Sequence, residues 1–352
     1  MVFTENLGFP ARRQRMIRPR ILTAPALALC LAACSPFGSD PLDEAQAAFA
    51  AQDYISARDE VQKALERDAD NAEALELLAR IQLAMGQGGE VLNTLERLEQ
   101  SGEEPADAKL LAAEGLLQTG ETEGALELIG DNTSAEGWRL RALAAAARGE
   151  AERAMQAYAS GRNAPGERGK LFAAEATFHL AQGDLAAAQE AVSLAQEVAP
   201  GRVETLFVSA RLAEAQADPV TALSNYLRII EIVPRDRPAL LAAISSSQRA
   251  QLPRITRHLI AYGAATRPLD EEFVYQQARV DAWDGRWEQV RERLQAHETE
   301  LANHDSARLL YAEALLQLGQ VETARAIAAP IFARRAEDPE ALRLQAAIAA
   351  AS

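Results

Sequence analysis

Residues 172–205 read FAAEATFHLAQGDLAAAQEAVSLAQEVAPGRVET, and residues 206–239 read LFVSARLAEAQADPVTALSNYLRIIEIVPRDRPA. Laid one over the other, these 34-residue stretches place Ala176 on Ala210, Gly183 on Ala217, Asp184 on Asp218, Ala188 on Ala222, Val192 on Tyr226 and Pro200 on Pro234. Each column has a physical reading. Gly183 tolerates the left-handed backbone that ends a helix, and the acid after it suits the positive end of the next helix. A small residue in the middle of both helices lets the two axes come within ~8–10 Å, while the apolar residue four positions on lies on the same face. Proline stops the second helix. The unit is an antiparallel helical hairpin.

The same phase runs outward in both directions. The turn column holds Gln52, Gly86, Gly120, Gly149, Gly183, Ala217, Gln251, Gly285 and Gly319, at intervals of 34 residues except for 29 between Gly120 and Gly149. Seven positions earlier stand Ala45, Ala79, Ala113, Ala142, Ala176, Ala210, Ile244, Ala278 and Ala312, and five after the turn stand Ala57, Val91, Ala125, Ala154, Ala188, Ala222, Thr256, Val290 and Ala324. A generic alanine-rich bundle would not keep seven equal intervals. The pattern predicts an all-α chain, an alpha-alpha superhelix of about nine helical hairpins over 43–351 that includes a capping helix from Pro339 to Ala350. After Gly120 about a turn and a half is missing, which reads either as a trimmed hairpin or as a break between two stacks.

These columns resemble the tetratricopeptide repeat (TPR), whose helix-turn-helix unit has small residues at the same crossings and a proline near its end. Trp138 falls on that family's first-helix aromatic position. The resemblance covers Asp43 to about Ala336, is strongest from Phe172 to Val233, and weakens at Leu252 and Pro253 and between Ile129 and Trp138. It implies a TPR solenoid with little chain left for another domain.

Composition closes off other classes. With 48% apolar residues, 20 Gly, 15 Pro and two Cys in 352 residues, the chain is neither collagen-like, nor disordered, nor a disulfide scaffold. Its 36 basic residues against 51 acidic ones, a formal charge of −15, argue against a nucleic-acid partner, which needs clustered Lys and Arg.

Residues 1–33 read as an address. Arg12, Arg13, Arg15, Arg18 and Arg20 precede a mostly apolar run from Ile21 to Ala33, about 20 Å as a helix and too short for a ~30 Å hydrocarbon core. The ending Leu31-Ala32-Ala33-Cys34-Ser35 resembles the lipobox of bacterial lipoproteins; a generic signal peptide with an incidental cysteine is the alternative. The resemblance implies lipidation of Cys34, a linker over 34–42, loss of Cys30 with the signal, and anchoring through the lipid alone. Ser35 lacks the aspartate associated with inner-membrane retention, which implies an outer-membrane lipoprotein facing the periplasm. Met16 is an alternative start, and Arg12-Arg13 a faint twin-arginine signal. The processed chain would carry 31 basic against 50 acidic residues.

No catalytic, cofactor or metal constellation is expected. His179, His258, His297 and His304 fall in three repeats; His297 and His304 read as solvated junction residues and His179 as a packed one. Ala164 to Leu171 approaches a phosphate-binding loop but lacks its first glycine, its Ser or Thr after Lys170 and its preceding strand, so an inter-repeat turn explains it better. Glu103 and Glu104 read as part of a solvated face.

Function is therefore expected in the outward side chains of the first helices, on a concave surface: Glu76, Arg80, Glu114, Arg139, Phe207, Arg211, Glu214, Gln248, Tyr275, Arg279 and Glu313. Arg80, Arg139, Phe207, Arg211, Tyr275 and Arg279 are the candidate binding residues, since Arg with Tyr or Phe is the composition of interface anchors; aromatics tucked between hairpins are the competing reading. No unit carries the asparagine with which TPR carboxylate clamps hold a C-terminus. The expected role is a non-enzymatic scaffold that binds peptide or helical segments of an envelope complex, for exopolysaccharide export, a pilus or secretin, or cell-wall remodelling. Direct polysaccharide binding is the alternative.

Overall fold

A computed structural model describes residues 40–103 and 105–351. The signal-like stretch, Cys34, the linker up to Ser39 and Glu104 lie outside the described residues.

Every regular element among the described residues is an α-helix, nineteen in all. They pair as α1 (Pro41–Ala50) with α2 (Tyr54–Arg67), α3 (Ala72–Ala84) with α4 (Gly88–Gln100), and α5 (Ala108–Thr119) with α6 (Thr122–Ile129). The middle hairpins are α7 (Ala135–Ala147) with α8 (Ala151–Gly161), α9 (Gly169–Ala181) with α10 (Leu185–Val198), and α11 (Val203–Ala215) with α12 (Pro219–Ile232). The last are α13 (Arg237–Arg249) with α14 (Pro253–Thr266), α15 (Glu271–Trp283) with α16 (Trp287–Ala296), and α17 (Asp305–Gln317) with α18 (Val321–Arg334). The final helix, α19 (Pro339–Ala350), packs on α17 and α18 and caps the ninth hairpin.

All nine residues of the turn column have positive φ, from +56° at Gln251 to +90° at Gly120. Three of them, Gln52, Ala217 and Gln251, are the non-glycine residues of positive φ among the described residues, so the turn geometry is imposed even where the sequence does not favour it. Asp53, Asp184 and Asp218, the acids after those turns, accept a hydrogen bond from the backbone N–H three residues on and so cap the second helix. Asp40 caps α1 in a related way, accepting from the Leu42 N–H, with Pro41 at the first helical position; the helix thus starts inside the expected linker.

Both small-residue columns are buried in every hairpin. Where the pattern departs from alanine the neighbours adjust. In the seventh hairpin Ile244 and Thr256 stand at the crossings, and the Thr256 hydroxyl meets Ser247 Oγ at 2.8 Å. Close by, Gly263 lies so near the Phe273 ring that a Cβ there would sit 2.3 Å from it, which is the space that lets that ring fill the core.

The 29-residue interval is a trimmed hairpin inside one stack. Helix α6 has 8 residues and ends at Gly130, whose φ is +51°. Arg141 donates from Nη2 to the Gly130 carbonyl at 2.7 Å and from Nη1 to the Asn132 carbonyl, and its guanidinium lies 4.6 Å from the Trp138 ring centre. Packing continues across the gap, α6 on α7 and α5 on α7.

A second feature lies outside the nearest-neighbour pattern. The buried side chain of Gln52, in the first turn, reaches the loop before α11. Its Nε2 donates to the Gly201 carbonyl at 3.3 Å and its Oε1 accepts from the Val203 N–H at 3.0 Å. The winding of the stack thus brings the first hairpin back onto the junction between the fifth and sixth.

Candidate interaction surface

One register position of the first helices, six residues before each turn, carries Gln46, Arg80, Glu114, Leu143, Thr177, Arg211, Ser245, Arg279 and Glu313. For several of them the partner stands at or near the start of the next first helix, 27 positions on for Gln46 and Arg80. Gln46 Nε2 donates to Glu73 at 2.6 Å, and Arg80 donates through both terminal nitrogens to the Asp107 carboxylate at 2.9 Å while also bonding Glu76 at 2.7 Å. In the trimmed hairpin the offset is shorter, and Glu114 meets Arg139 at 2.7 Å. Glu313 faces Arg343 of α19 at 3.9 Å.

Arg139 does not project into solvent as its sequence position suggested. It is 6% exposed, held between Glu114 and Glu136, and the two carboxylates keep its guanidinium protonated against the cost of burial. Arg80 is half-buried and paired with two acids. Both arginines rivet adjacent repeats together.

Arg211 and Arg279 differ because the position 27 residues on is Pro238 in one case and Ser306 in the other. Arg211 is exposed and forms no hydrogen bond or ion pair with a described residue. Arg279 donates to Gln276 Oε1 at 3.1 Å and lies between two rings, 5.7 Å from the centre of Tyr275 and 5.4 Å from that of Trp283. Tyr275 stacks in turn on His304 at 4.8 Å, and burial raises its phenol pKa. Along α15 and onto α17 runs an alternation of ring, guanidinium, ring and imidazole, with Trp283 50% exposed at its end. Spacing of four along α15 sets this alternation, and Trp283 is the member that sequence reading passed over.

Phe207, the counterpart of Tyr275, is tucked between helices with its ring edge-on to Tyr226 at 5.8 Å. Glu214 is occupied by Arg249 and by Ser246 Oγ. An open groove of about 310 Å³ separates α13 from α15, lined by Leu241, Ser245, Gln248, Glu272 and Gln276, and the Gln248 Nε2 buried beside it has no partner among the described residues.

His304 is not the solvated residue its position suggested. Its Nδ1 accepts from the Ala307 N–H at 3.1 Å, capping α17, and its Nε2 lies 3.1 Å from Glu272. His179 packs against the Phe178 ring at 5.5 Å. The loop from Ala164 to Arg168 is a turn between hairpins, with Gly166 at φ +101°. Among the described residues no three His, Cys, Asp or Glu side chains are placed to hold a metal ion, and no helix is long and apolar enough to cross a membrane.

Residues 284–348, from the turn before α16 almost to the end of α19, match the family profile of the tetratricopeptide repeat. No curated protein matches the sequence. Among solved structures, the APC/C hetero-tetramer Cut9–Hcn1 is similar over 78% of this chain, with a TM-score of 0.51 and 16% identity. The chain spans 55% of that protein's length. The human IFIT1 dimer with m7Gppp-AAAA gives a TM-score of 0.43 and 14% identity, over 88% of this chain and 70% of that one. The last hairpins thus match the tetratricopeptide repeat, and the chain as a whole folds as a solenoid of helical hairpins of that type. Such solenoids are generally non-catalytic and bind peptides or proteins.

Proposed function

We propose that the protein is a non-enzymatic scaffold that captures extended or helical segments of partner proteins on the first-helix face of its sixth to ninth hairpins. The observation that carries this reading is the contrast along one register position. Arg80 is neutralised by Glu76 and Asp107, whereas Arg211 and Arg279 are left without a carboxylate in a strongly acidic chain, the second stacked between Tyr275 and Trp283. Arginine flanked by large rings is the composition that anchors interfaces, and a partner carboxylate would take the place that Pro238 and Ser306 leave vacant.

The address at the N-terminus supports a location: lipidated at Cys34, held on the outer membrane and facing the periplasm, the scaffold would serve an envelope machine such as a polysaccharide exporter, a pilus secretin or a cell-wall remodelling complex. Crosslinking and co-purification from membranes test the whole reading. The wild-type chain should retain a partner that the Arg211→Glu, Arg279→Glu double variant loses, and Cys34→Ser should move the protein to the soluble fraction. Recovery of the same partner with both arginines reversed refutes the assigned face.

The exposed ring of Trp283 beside Tyr275 favours a second reading, stacking of sugar rings in direct polysaccharide binding. Glycan titration of Tyr275→Ala and Trp283→Ala chains separates the two, because a scaffold that reads peptides shows no glycan affinity to lose.

A further inference from the structure

The short interval removes more than sequence. Helix α6 stops after 8 residues where α10, α12 and α14 each run to 14. The residues missing between a 29- and a 34-residue interval amount to about a turn and a half, or ~7.5 Å of helix. In a full hairpin the end of the second helix covers the start of the first. Here that cover is missing, and a notch of about 330 Å³ opens between α4, the first turns of α5 and the end of α6. Its floor is apolar, with half-buried Leu95, Ala112 and Leu128, and its rim is acidic, with exposed Glu96, Glu99 and Glu103 against the single cation Lys109.

We propose that this notch is a docking site for a short amphipathic helical turn of a partner protein, distinct from the arginine and aromatic face. Two apolar side chains one turn apart enter the notch, and lysine or arginine on the flank of the same helix meets Glu96, Glu99 and Glu103. The partner supplies in trans the helical length that the third hairpin lacks. Apolar anchors at this spacing are the general mode by which a helix occupies a groove, and the acidic rim selects the charge of the occupant by repelling acidic helices.

The test uses the full chain and a fluorescein-labelled helical peptide with two leucines at i and i+4 flanked by lysines, read by fluorescence anisotropy. Control peptides replace the leucines by serine or the lysines by glutamate. One protein variant inserts helix-forming residues after Leu128 to restore the 34-residue interval; Leu95→Glu spoils the floor without changing length, in case the insertion disturbs folding. The leucine–lysine peptide should bind the wild-type chain, with at least about tenfold weaker binding for either control peptide and for either variant. Arg211→Glu with Arg279→Glu should leave its affinity unchanged, which separates this site from the proposed scaffold face. No binding by the wild-type chain, equal binding by the restored or Leu95→Glu chains, or loss of binding in the arginine double variant overturns the proposal. A dimer in sedimentation that the insertion abolishes would name a second copy as the occupant and overturn it equally.

Discussion

Three turn residues without glycine's freedom share one backbone conformation, and substituting glycine at each weighs the long-range contact made by one of them. Gln52, Ala217 and Gln251 have φ of 65°, 58° and 56°. An L-residue pays ~1–2 kcal/mol for this conformation, against ~0.5–1 kcal/mol of extra chain entropy for glycine, so Ala217→Gly and Gln251→Gly should each stabilise by ~0.5–1 kcal/mol. Gln52→Gly receives the same relief but loses the bonds to Gly201 and Val203, each worth ~1 kcal/mol, and should come out destabilised by ~1 kcal/mol. The contrast of about 2 kcal/mol between Gln52→Gly and the other two isolates the contact, since the backbone contribution is common to all three. Urea unfolding followed by circular dichroism supplies the totals. Hydrogen exchange in α1 and α2 supplies the local effect, which is needed because a long repeat array does not unfold in one step. If Gln52→Gly stabilises the chain as much as Ala217→Gly, the bonds to Gly201 and Val203 contribute nothing and the reasoning fails.

Three further outcomes follow from the packing. Arg139→Met leaves Glu114 and Glu136 facing each other without their shared cation and should cost ~3–5 kcal/mol by urea unfolding, with part of it recovered by adding Glu114→Gln; a loss below 1 kcal/mol would show that the buried trio is dispensable. Asp284 has its carboxyl held down to about 2, first by the hydrogen bond from Arg257 and then by that from Arg286. Its folded pKa lies below the ordinary value of ~3.9, so its contribution to stability is fully present above that value and is lost as pH falls through about 2. Arg257→Gln should raise the midpoint of the Asp284 carboxyl carbon-13 titration, and an unmoved midpoint would count against the pairing. Gly263→Val forces a side chain into the Phe273 ring and should destabilise by ~1–3 kcal/mol, whereas Gly285→Val would test backbone strain alone because a Cβ there meets nothing within 4 Å.

The fold was legible because a solenoid repeats its instructions. A turn residue, an acid after it and a small residue on either side recur until the phase is unmistakable, and the positive φ of Ala217 and Gln251 shows that phase overriding local preference. The surface was legible only in part. Arg80, Arg211 and Arg279 are equivalent within one repeat, and what separates them stands 27 residues away in the next one: Asp107 for the first, Pro238 and Ser306 for the others. Reading the columns jointly would have sorted the paired arginine from the unpaired ones. Arg139 misled because the trimmed hairpin shifts the offset and draws Glu114 onto it from the preceding repeat. Phe207 and Tyr275 occupy one register position, yet the first finds Tyr226 to pack against while the second meets Arg279 and His304. The reach of Gln52 to Gly201 and Val203 left no trace in the periodicity, because it depends on the accumulated winding of four hairpins rather than on any one of them.

That reach also sets a clock. Arrays of this kind ordinarily assemble from contacts between adjacent units as the chain emerges, with no need to wait for distant sequence. The partners of Gln52 lie 149 and 151 residues downstream, so at a synthesis rate of ~5–20 residues per second they leave the ribosome some 8–30 seconds later. The first hairpin to be made is therefore secured only after four more have followed it, and during that interval a nascent chain exposes, at its leading end, a surface that the finished molecule hides.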